Sequence, residues 1–350
     1  MITGHYKTTY ASDEGIWNTW PKRLGLILSL LFLFLLPWVA NSYVLLIAGQ
    51  IAIFVIAVAG LNVLVGYTGL MSLGHGAFFA VGAYTTVAVH LYLPQLFPLI
   101  TLVVAMAAAG FMGLIFGLPS LRVKGLYLAV ATLSANFIVL FLIRQEWLAH
   151  WTGGPSGTET PNAFIWGVEL LSNRDKYLLI VPIAVLMVLF AQNLFRTRFG
   201  RALIAIREKD YSAEILGISL YSYKLKSFAF SAAYCGAAGC LWAYFFPAIL
   251  PEDFALGMSI TLVVCLVAGG MGRTLGPIFG TLLILLVPEL LKIVAFQITE
   301  GDSNAQKYFS PIRDIIFGLM IIGFLIFEPM GLAAIWDRFW RFVDRWPFVK

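Results

Sequence analysis

Apolar residues along this chain fall in long runs rather than in alternation. Runs of this kind predict membrane-crossing helices, since about 30 Å of hydrocarbon requires roughly 20 residues at about 1.5 Å each. Ten runs are found, at 24–40, 43–65, 70–92, 98–120, 125–143, 177–195, 226–248, 258–271, 275–297 and 313–330. The eighth is short. The third is broken by glycines: "LVGYTGLMSLGHGAFFAVGAY", from Leu64 to Tyr84, is apolar yet holds Gly66, Gly69, Gly74, Gly76 and Gly82, with Tyr67, Thr68, Ser72 and His75 among them.

Most connections between the runs are short, and two are not. Residues 144–176 carry little net charge. Residues 196–225 have helical character: in "FGRALIAIREKDYSAEILGISLYSYKLKSFAFS", Leu203, Ile206 and Ala213 mix with Arg207, Glu208, Lys209, Asp210 and Glu214, and Gly217 closes the segment. The pattern predicts a short amphipathic helix around Ala205–Gly217, a glycine cap and a re-entry helix. Its apolar side needs a cover, either a protein partner or an anionic lipid surface.

Composition agrees with the runs. Of 350 residues 60% are hydrophobic and 12% charged, with a mean hydropathy of +0.88. A water-soluble domain is nearer one half apolar and one quarter charged. The basic balance belongs to span flanks and gives no reason to expect a nucleic-acid partner. With both termini inside, inner segments carry 17 Lys and Arg and outer loops 4. This asymmetry follows the positive-inside rule. Removing one internal span would put the basic 196–225 loop and the basic C-terminal tail on opposite sides.

The expected fold is therefore an all-α integral membrane protein, a polytopic helical bundle of about ten transmembrane segments with both termini cytoplasmic. It is one domain over 1–350, with a cytoplasmic N-terminal segment 1–23, an inner loop 196–225 and a cytoplasmic tail 331–350. Some 23 mostly polar residues precede the first run, so that run reads as a retained span rather than a cleaved signal.

No catalytic constellation accompanies this pattern. There is no G-x-x-x-x-G-K-[ST], H-E-x-x-H or G-x-S-x-G, and His5, His75, His90 and His150 are scattered. Cys235, Cys240 and Cys265 lie in apolar runs and read as packing residues. No metal site, bound cofactor or active site is expected. Away from the span ends only Glu289 and Lys292 are charged, at i and i+3. So little intramembrane charge disfavours an ion-coupled pump.

Transport remains. A polar solute needs hydrogen-bonding groups inside the bundle and helices that part or pack closely. Asn62, Tyr67, Ser72, Gly74 and His75 are candidates for such a pathway. So are Ser134 and Asn136 in "ATLSANF", where Thr132 and Asn136 share a helix face. Close helix packing through small residues is the competing reading of the glycines. "LVAGGMGRTLGPIF", Leu266 to Phe279, faintly echoes the glycine-rich stretch.

The order G-R-A-L-x-A-I-R-E-x-D-x-x-A-E-x-L-G-I over 200–218 resembles the cytoplasmic coupling segment of ABC importer permeases of the branched-chain amino-acid class. "GLNVLVGYTGLMSLGHGAFFAVGAY", "TGGPSG", "PELLK" and "FEPMGL" are similar to further motifs of that family, in the same order over about 55–335. The likeness is to its M-type branch rather than the H-type one. It implies a heterodimer with an H-type permease, two ATPase subunits that bind the ATP, a periplasmic or lipid-tethered solute-binding protein, and surrounding membrane lipid in a bacterial plasma (inner) membrane. It implies ATPase coupling through Arg201, Arg207, Glu208, Asp210, Ala213, Glu214 and Gly217. It also implies binding-protein contact through Gly153, Gly154, Pro155, Gly157 and Glu289. After "TGGPSG" the chain reads "TETPNAFIWG" instead of the family's glycine-isoleucine-proline run. That departure leaves urea or short amides as alternative solutes beside branched-chain or related hydrophobic amino acids, and a stand-alone secondary transporter as the alternative of another class.

Overall fold

The computed structural model describes residues 20–123, 125–165, 168–298 and, between 315 and 345, all but 317, 320, 321, 324, 325, 327 and 329. Helices dominate. In chain order they are α1 (Trp20–Val39), α2 (Ser42–Leu61), α3 (His75–Tyr92), α4 (Pro98–Gly117), α5 (Leu126–Ile143), the short α6 (Ala149–Thr152), α7 (Asn173–Phe195), α8 (Arg198–Glu208), α9 (Asp210–Ile215), α10 (Leu220–Phe245), α11 (Leu256–Gly269), α12 (Gly276–Ile298) and α13 (Leu332–Arg345). Among the described residues six segments are long and apolar enough to cross a bilayer: Ser42–Tyr67, Pro98–Gly117, Leu126–Ile143, Asn173–Phe195, Leu220–Phe245 and Gly276–Ile293. Leu24–Val39 and Leu256–Gly269 are shorter apolar helices. The chain is a multi-pass, all-α membrane protein.

The core is centred on α10, which packs against α2, α3 and α4. Small residues let it sit close. A Cβ on Gly82 of α3 would collide with the backbone of Gly236 on α10, so the two helices meet backbone to backbone. Around this contact Phe54, Phe79 and Trp242 form an edge-on aromatic group with centroids 5.8–6.4 Å apart. Leu31, Phe32, Phe111, Phe137, Phe141 and Leu186 instead face outward, as lipid-facing residues do.

Several expected boundaries move. The second run continues past α2 as a π-helical turn, Asn62–Tyr67, and the third helix begins only at His75 rather than at 70. Residues 68–74 between them are irregular, with Gly69 at φ 74°. The glycines thus do break the helix, at a point where backbone groups find side-chain partners instead. The helix of the seventh run, α10, begins at Leu220, six residues before the expected 226. Ser219 caps it, accepting the Ser222 N–H at 3.5 Å, and the buried Lys224 lies within its first turns. The tail expected at 331–350 contains α13. Leu332, Ile335, Trp336, Phe339 and Trp340 recur at helical spacing, and that periodicity was the signal for it. The tenth run, 313–330, lies largely outside the described residues; 315, 316, 318, 319, 322, 323 and 326 are helical.

The 144–176 connection is folded. Strands β1 (Thr158–Glu159) and β4 (Ala248–Ile249) pair antiparallel, Thr158 opposite Ile249. Strands β2 (Phe164–Ile165) and β3 (Val168–Glu169) form a hairpin. The α1–α2 turn, this connection and the α10–α11 connection share one end of the bundle. The π turn, the 196–219 loop, the α11–α12 turn and α13 share the other, which holds most of the basic residues and is termed the basic end below.

Candidate functional site

At the basic end two glycine-rich turns meet. Asn62, at the start of the π turn, is buried, and its amide spans to the α11–α12 turn. Its Oδ1 accepts the Gly272 N–H at 2.9 Å and its Nδ2 donates to the Arg273 carbonyl at 2.9 Å. Gly66 lies against the same turn: a Cβ there would be 2.5 Å from the Gly272 nitrogen. The faint sequence echo between the two stretches corresponds to two helix–turn–helix corners in direct contact. Arg273 in turn pairs with Asp337 of α13.

The carbonyls at the end of the π turn are each accounted for. The Thr68 hydroxyl donates to Val63 O at 2.9 Å, the Leu70 N–H to Leu64 O at 3.1 Å and the Gly69 N–H to Val65 O at 3.2 Å. The Gly66 carbonyl accepts from the guanidinium of Arg207, on the last turn of α8. Tyr67 stacks on Phe195 at the end of α7, centroids 3.5 Å apart.

The irregular segment 68–74 is stitched into the core. The Leu73 N–H donates to Thr132 Oγ1 of α5 at 3.0 Å, and the Gly76 N–H to Ser259 Oγ of α11 at 2.9 Å. His75 is fully buried, with Nδ1 3.0 Å from Ser72 Oγ and Nε2 2.7 Å from Ser231 Oγ of α10. Ser72 Oγ also accepts the Gly74 N–H at 3.4 Å. In either neutral tautomer one ring nitrogen donates and the other accepts, so both serines are engaged. A Cβ on Gly74 would be 2.5 Å from the Thr132 carbonyl.

Of the pathway candidates, Asn62, Tyr67, Ser72, Gly74 and His75 are thus engaged in contacts within the protein. Ser134 is on the exposed face of α5, bonded back to the Val130 carbonyl at 3.1 Å, and is not brought to the cluster. Asn136 differs from all of these. It is fully buried, and neither its oxygen nor its nitrogen has a hydrogen-bond partner among the described residues. A buried amide in that state is costly, and it lies one turn from Thr132, beside the stitched break.

The 196–219 loop, expected to hold one amphipathic helix, holds two. Lys209, at φ −156° and ψ 105°, separates α8 from α9. After α9 the chain turns at Gly217, φ 83°. The Ile218 N–H reaches the Ala213 carbonyl at 3.0 Å and the Gly217 N–H the Glu214 carbonyl at 2.9 Å, a Schellman motif. Asp210 accepts from the buried Lys224 of α10 at 3.2 Å, which fixes α9 to the bundle. Ala213 is buried, whereas Arg207 is exposed overall and sends its guanidinium to the Gly66 carbonyl. Glu208, Glu214 and Gly217 are exposed. Sequence reasoning singled out charges here and passed over the apolar residues: Tyr211, Ile215 and Leu216 are 76%, 71% and 79% exposed. Tyr211 and Ile215, one turn apart on this short braced helix, and Leu216 at its C-cap form an exposed apolar patch of the kind that marks a docking site.

At the far end Gly153, Gly154 and Gly157 all take positive φ in a tight turn. The buried Thr152 anchors it, its hydroxyl donating to Ile143 O at 2.8 Å. A Cβ on Gly157 would meet the Ile249 carbonyl across the β1–β4 pair. Pro155 and Gly153 are exposed and Gly154 is buried. Glu289 accepts from Tyr43 of α2 and pairs with Lys292, joining α12 to α2 near this end.

The chain matches the family described as "Branched-chain amino acid transport system / permease component" over residues 43–325. It is 32% identical over 340 residues to the high-affinity branched-chain amino acid transport system permease protein LivM of Escherichia coli, covering 90% of this chain and 76% of that protein. The LivM of Salmonella typhimurium is also 32% identical, over 343 residues, with coverage of 90% and 76%. A probable branched-chain amino acid transport permease protein LivM of Methanocaldococcus jannaschii is 27% identical over 238 residues, covering 67% and 68%. No solved structure matches the chain.

Proposed function

Since the chain belongs to the permease family of branched-chain amino-acid transport systems, we propose that it is one of two unlike permeases in an ATP-driven importer of the bacterial inner membrane. Its partners are an H-type permease, two ATPase subunits at the basic end and an extracytoplasmic solute-binding protein at the far end. The cargo is a branched-chain or related hydrophobic amino acid. The basic end is cytoplasmic by the positive-inside rule. ATP is bound and hydrolysed on the ATPase subunits, and this chain forms half of the gate.

The observation that carries the reading is the exposed apolar surface of α9, Tyr211, Ile215 and Leu216, presented on a loop pinned by Lys224 to α10. A groove on an ATPase subunit would cover it, and motion of that subunit would reach the bundle through the pinned loop. Linkage makes the coupling reciprocal: loaded binding protein outside favours ATPase closure inside. Solute passes along α5, where Asn136 offers an amide with no partner among the described residues. Gly153, Pro155 and the nearby turn give the binding protein a rigid, exposed surface.

The test is uptake of labelled leucine by cells carrying or lacking this chain, with isoleucine, valine, urea and acetamide as competitors. The proposal expects uptake to depend on the chain and to be displaced by isoleucine and valine. Displacement by urea or acetamide alone would overturn the amino-acid assignment.

A further inference from the structure

We infer that Arg207 is a positioning residue that transmits the motion of the coupling segment to the two glycine turns, acting as a removable cap on the helix that ends there. The inference rests on the importer reading and adds the route of transmission inside this chain.

A helix that stops inside a membrane protein leaves its last carbonyls without intrahelical partners. At the end of the π turn, three are satisfied from within residues 68–70, by Thr68, Gly69 and Leu70. The Gly66 carbonyl is satisfied from another element altogether, by the Arg207 guanidinium. A cation suits this place, because the carboxyl end of a helix carries partial negative charge.

The arginine stem lies over Gly69, where a Cβ would be 3.3 Å from Arg207 Cγ, and the guanidinium lies over Gly272 of the opposing turn. One side chain of α8 therefore touches both turns at once, at the seam that Asn62 closes with its two bonds to Gly272 and Arg273.

Arg207 is one residue from Glu208, the last residue of α8, and Lys209 separates α8 from the apolar α9 surface. Displacing α9 thus moves the guanidinium relative to Gly66 and Gly272. With the cap withdrawn, the Gly66 carbonyl is left without a donor, and the seam between the turns holds only through Asn62. With the cap in place, the turns are latched. Arginine suits this work better than lysine, since its planar fork presents several donors at fixed angles.

Two experiments on the purified complex of permeases and ATPases test this. In proteoliposomes, Arg207→Ala is expected to raise the ATP hydrolysed per solute imported by tenfold or more, with subunit composition unchanged, and Arg207→Lys to recover part of the coupling. A parallel fall in hydrolysis and uptake would make the residue a structural brace and overturn the inference.

The second experiment reads the contact itself. A Cβ on Gly69 would be 3.7 Å from Arg207 Cβ, within the usual spacing of a disulfide. Oxidation of Gly69→Cys/Arg207→Cys should give a cross-link whose yield changes several-fold between the nucleotide-free and the vanadate-trapped complex. Equal yields in the two states, or no cross-link in either, would overturn the latch while leaving the importer reading intact. Uptake by the unaltered complex that ignores ATP would sink the importer reading, and the latch with it.

Discussion

The side chain of Asn62 completes the turn between α11 and α12, accepting from Gly272 and donating to Arg273 across more than two hundred residues of sequence. A single amide thereby holds together two helix corners that each lack the regular bonds of a helix. The basic end is thus a joint in which polar contacts between the two turns add to buried apolar packing such as that of Leu64 and Leu70.

Asn62→Ala should therefore loosen the protein. It strands the Gly272 N–H and the Arg273 carbonyl, and about 1–3 kcal/mol is expected to be lost. The measurement is the thermal unfolding midpoint of the detergent-solubilised protein. An unchanged midpoint would show that the two bonds contribute nothing to holding the turns together.

Asn136 gives the opposite pattern. Its buried amide has no partner among the described residues, so Asn136→Leu removes a desolvation cost while keeping the branching and the number of side-chain heavy atoms. The variant should be as stable as the parent or more stable, yet slower in uptake. Unchanged uptake would remove Asn136 from the solute path, and a lower midpoint would show that its amide is satisfied after all.

The α9 surface should be separable from folding. Ile215→Glu and Leu216→Glu alter side chains that are 71% and 79% exposed, so the protein should insert and purify normally. The ATPase subunits should no longer co-purify with it. Retained ATPase subunits at normal stoichiometry would argue that another surface carries docking.

Asp210 and Lys224 should behave as a coupled pair. Lys224 is 7% exposed and Asp210 33%, so Asp210→Ala leaves a nearly buried ammonium. The cost should be on the order of 1–3 kcal/mol, below that of a fully buried pair because solvent reaches the carboxylate. Asp210→Ala/Lys224→Met should recover much of it. Additive losses in the midpoint would mean that the two side chains stabilise the protein independently.

Much of this architecture was legible in the chain. Long apolar runs specify helices whatever surrounds them, and the basic asymmetry orients them. The glycine interruption at 64–84 announced a break, because a helix with Gly66, Gly69, Gly74 and Gly76 in sequence is weak without outside help. Gly217 was readable as a cap from its place after an amphipathic stretch.

What was not legible depended on partners distant in sequence. Nothing near Arg207 shows that its guanidinium seeks the Gly66 carbonyl, and in isolation it reads as one more surface charge. Ser72 and His75 read as solute-binding polar groups until the fold shows them bonded to each other and to Ser231. The start of α10 was missed because Lys224 and Lys226 look like span flanks, whereas Lys224 is buried against Asp210. The exposure of Tyr211, Ile215 and Leu216 went unread for the complementary reason, since apolar residues beside a span are expected to be covered.

The central claim is that this chain is a gate moved by ATP hydrolysed on other subunits. It is tested most directly by reconstituting the chain in proteoliposomes, alone and with its co-purifying permease, ATPases and binding protein, and measuring labelled leucine uptake with and without ATP. The account predicts uptake only from the complete set and only with ATP. Leucine accumulation driven by an ion gradient through this chain alone, indifferent to ATP, would contradict it.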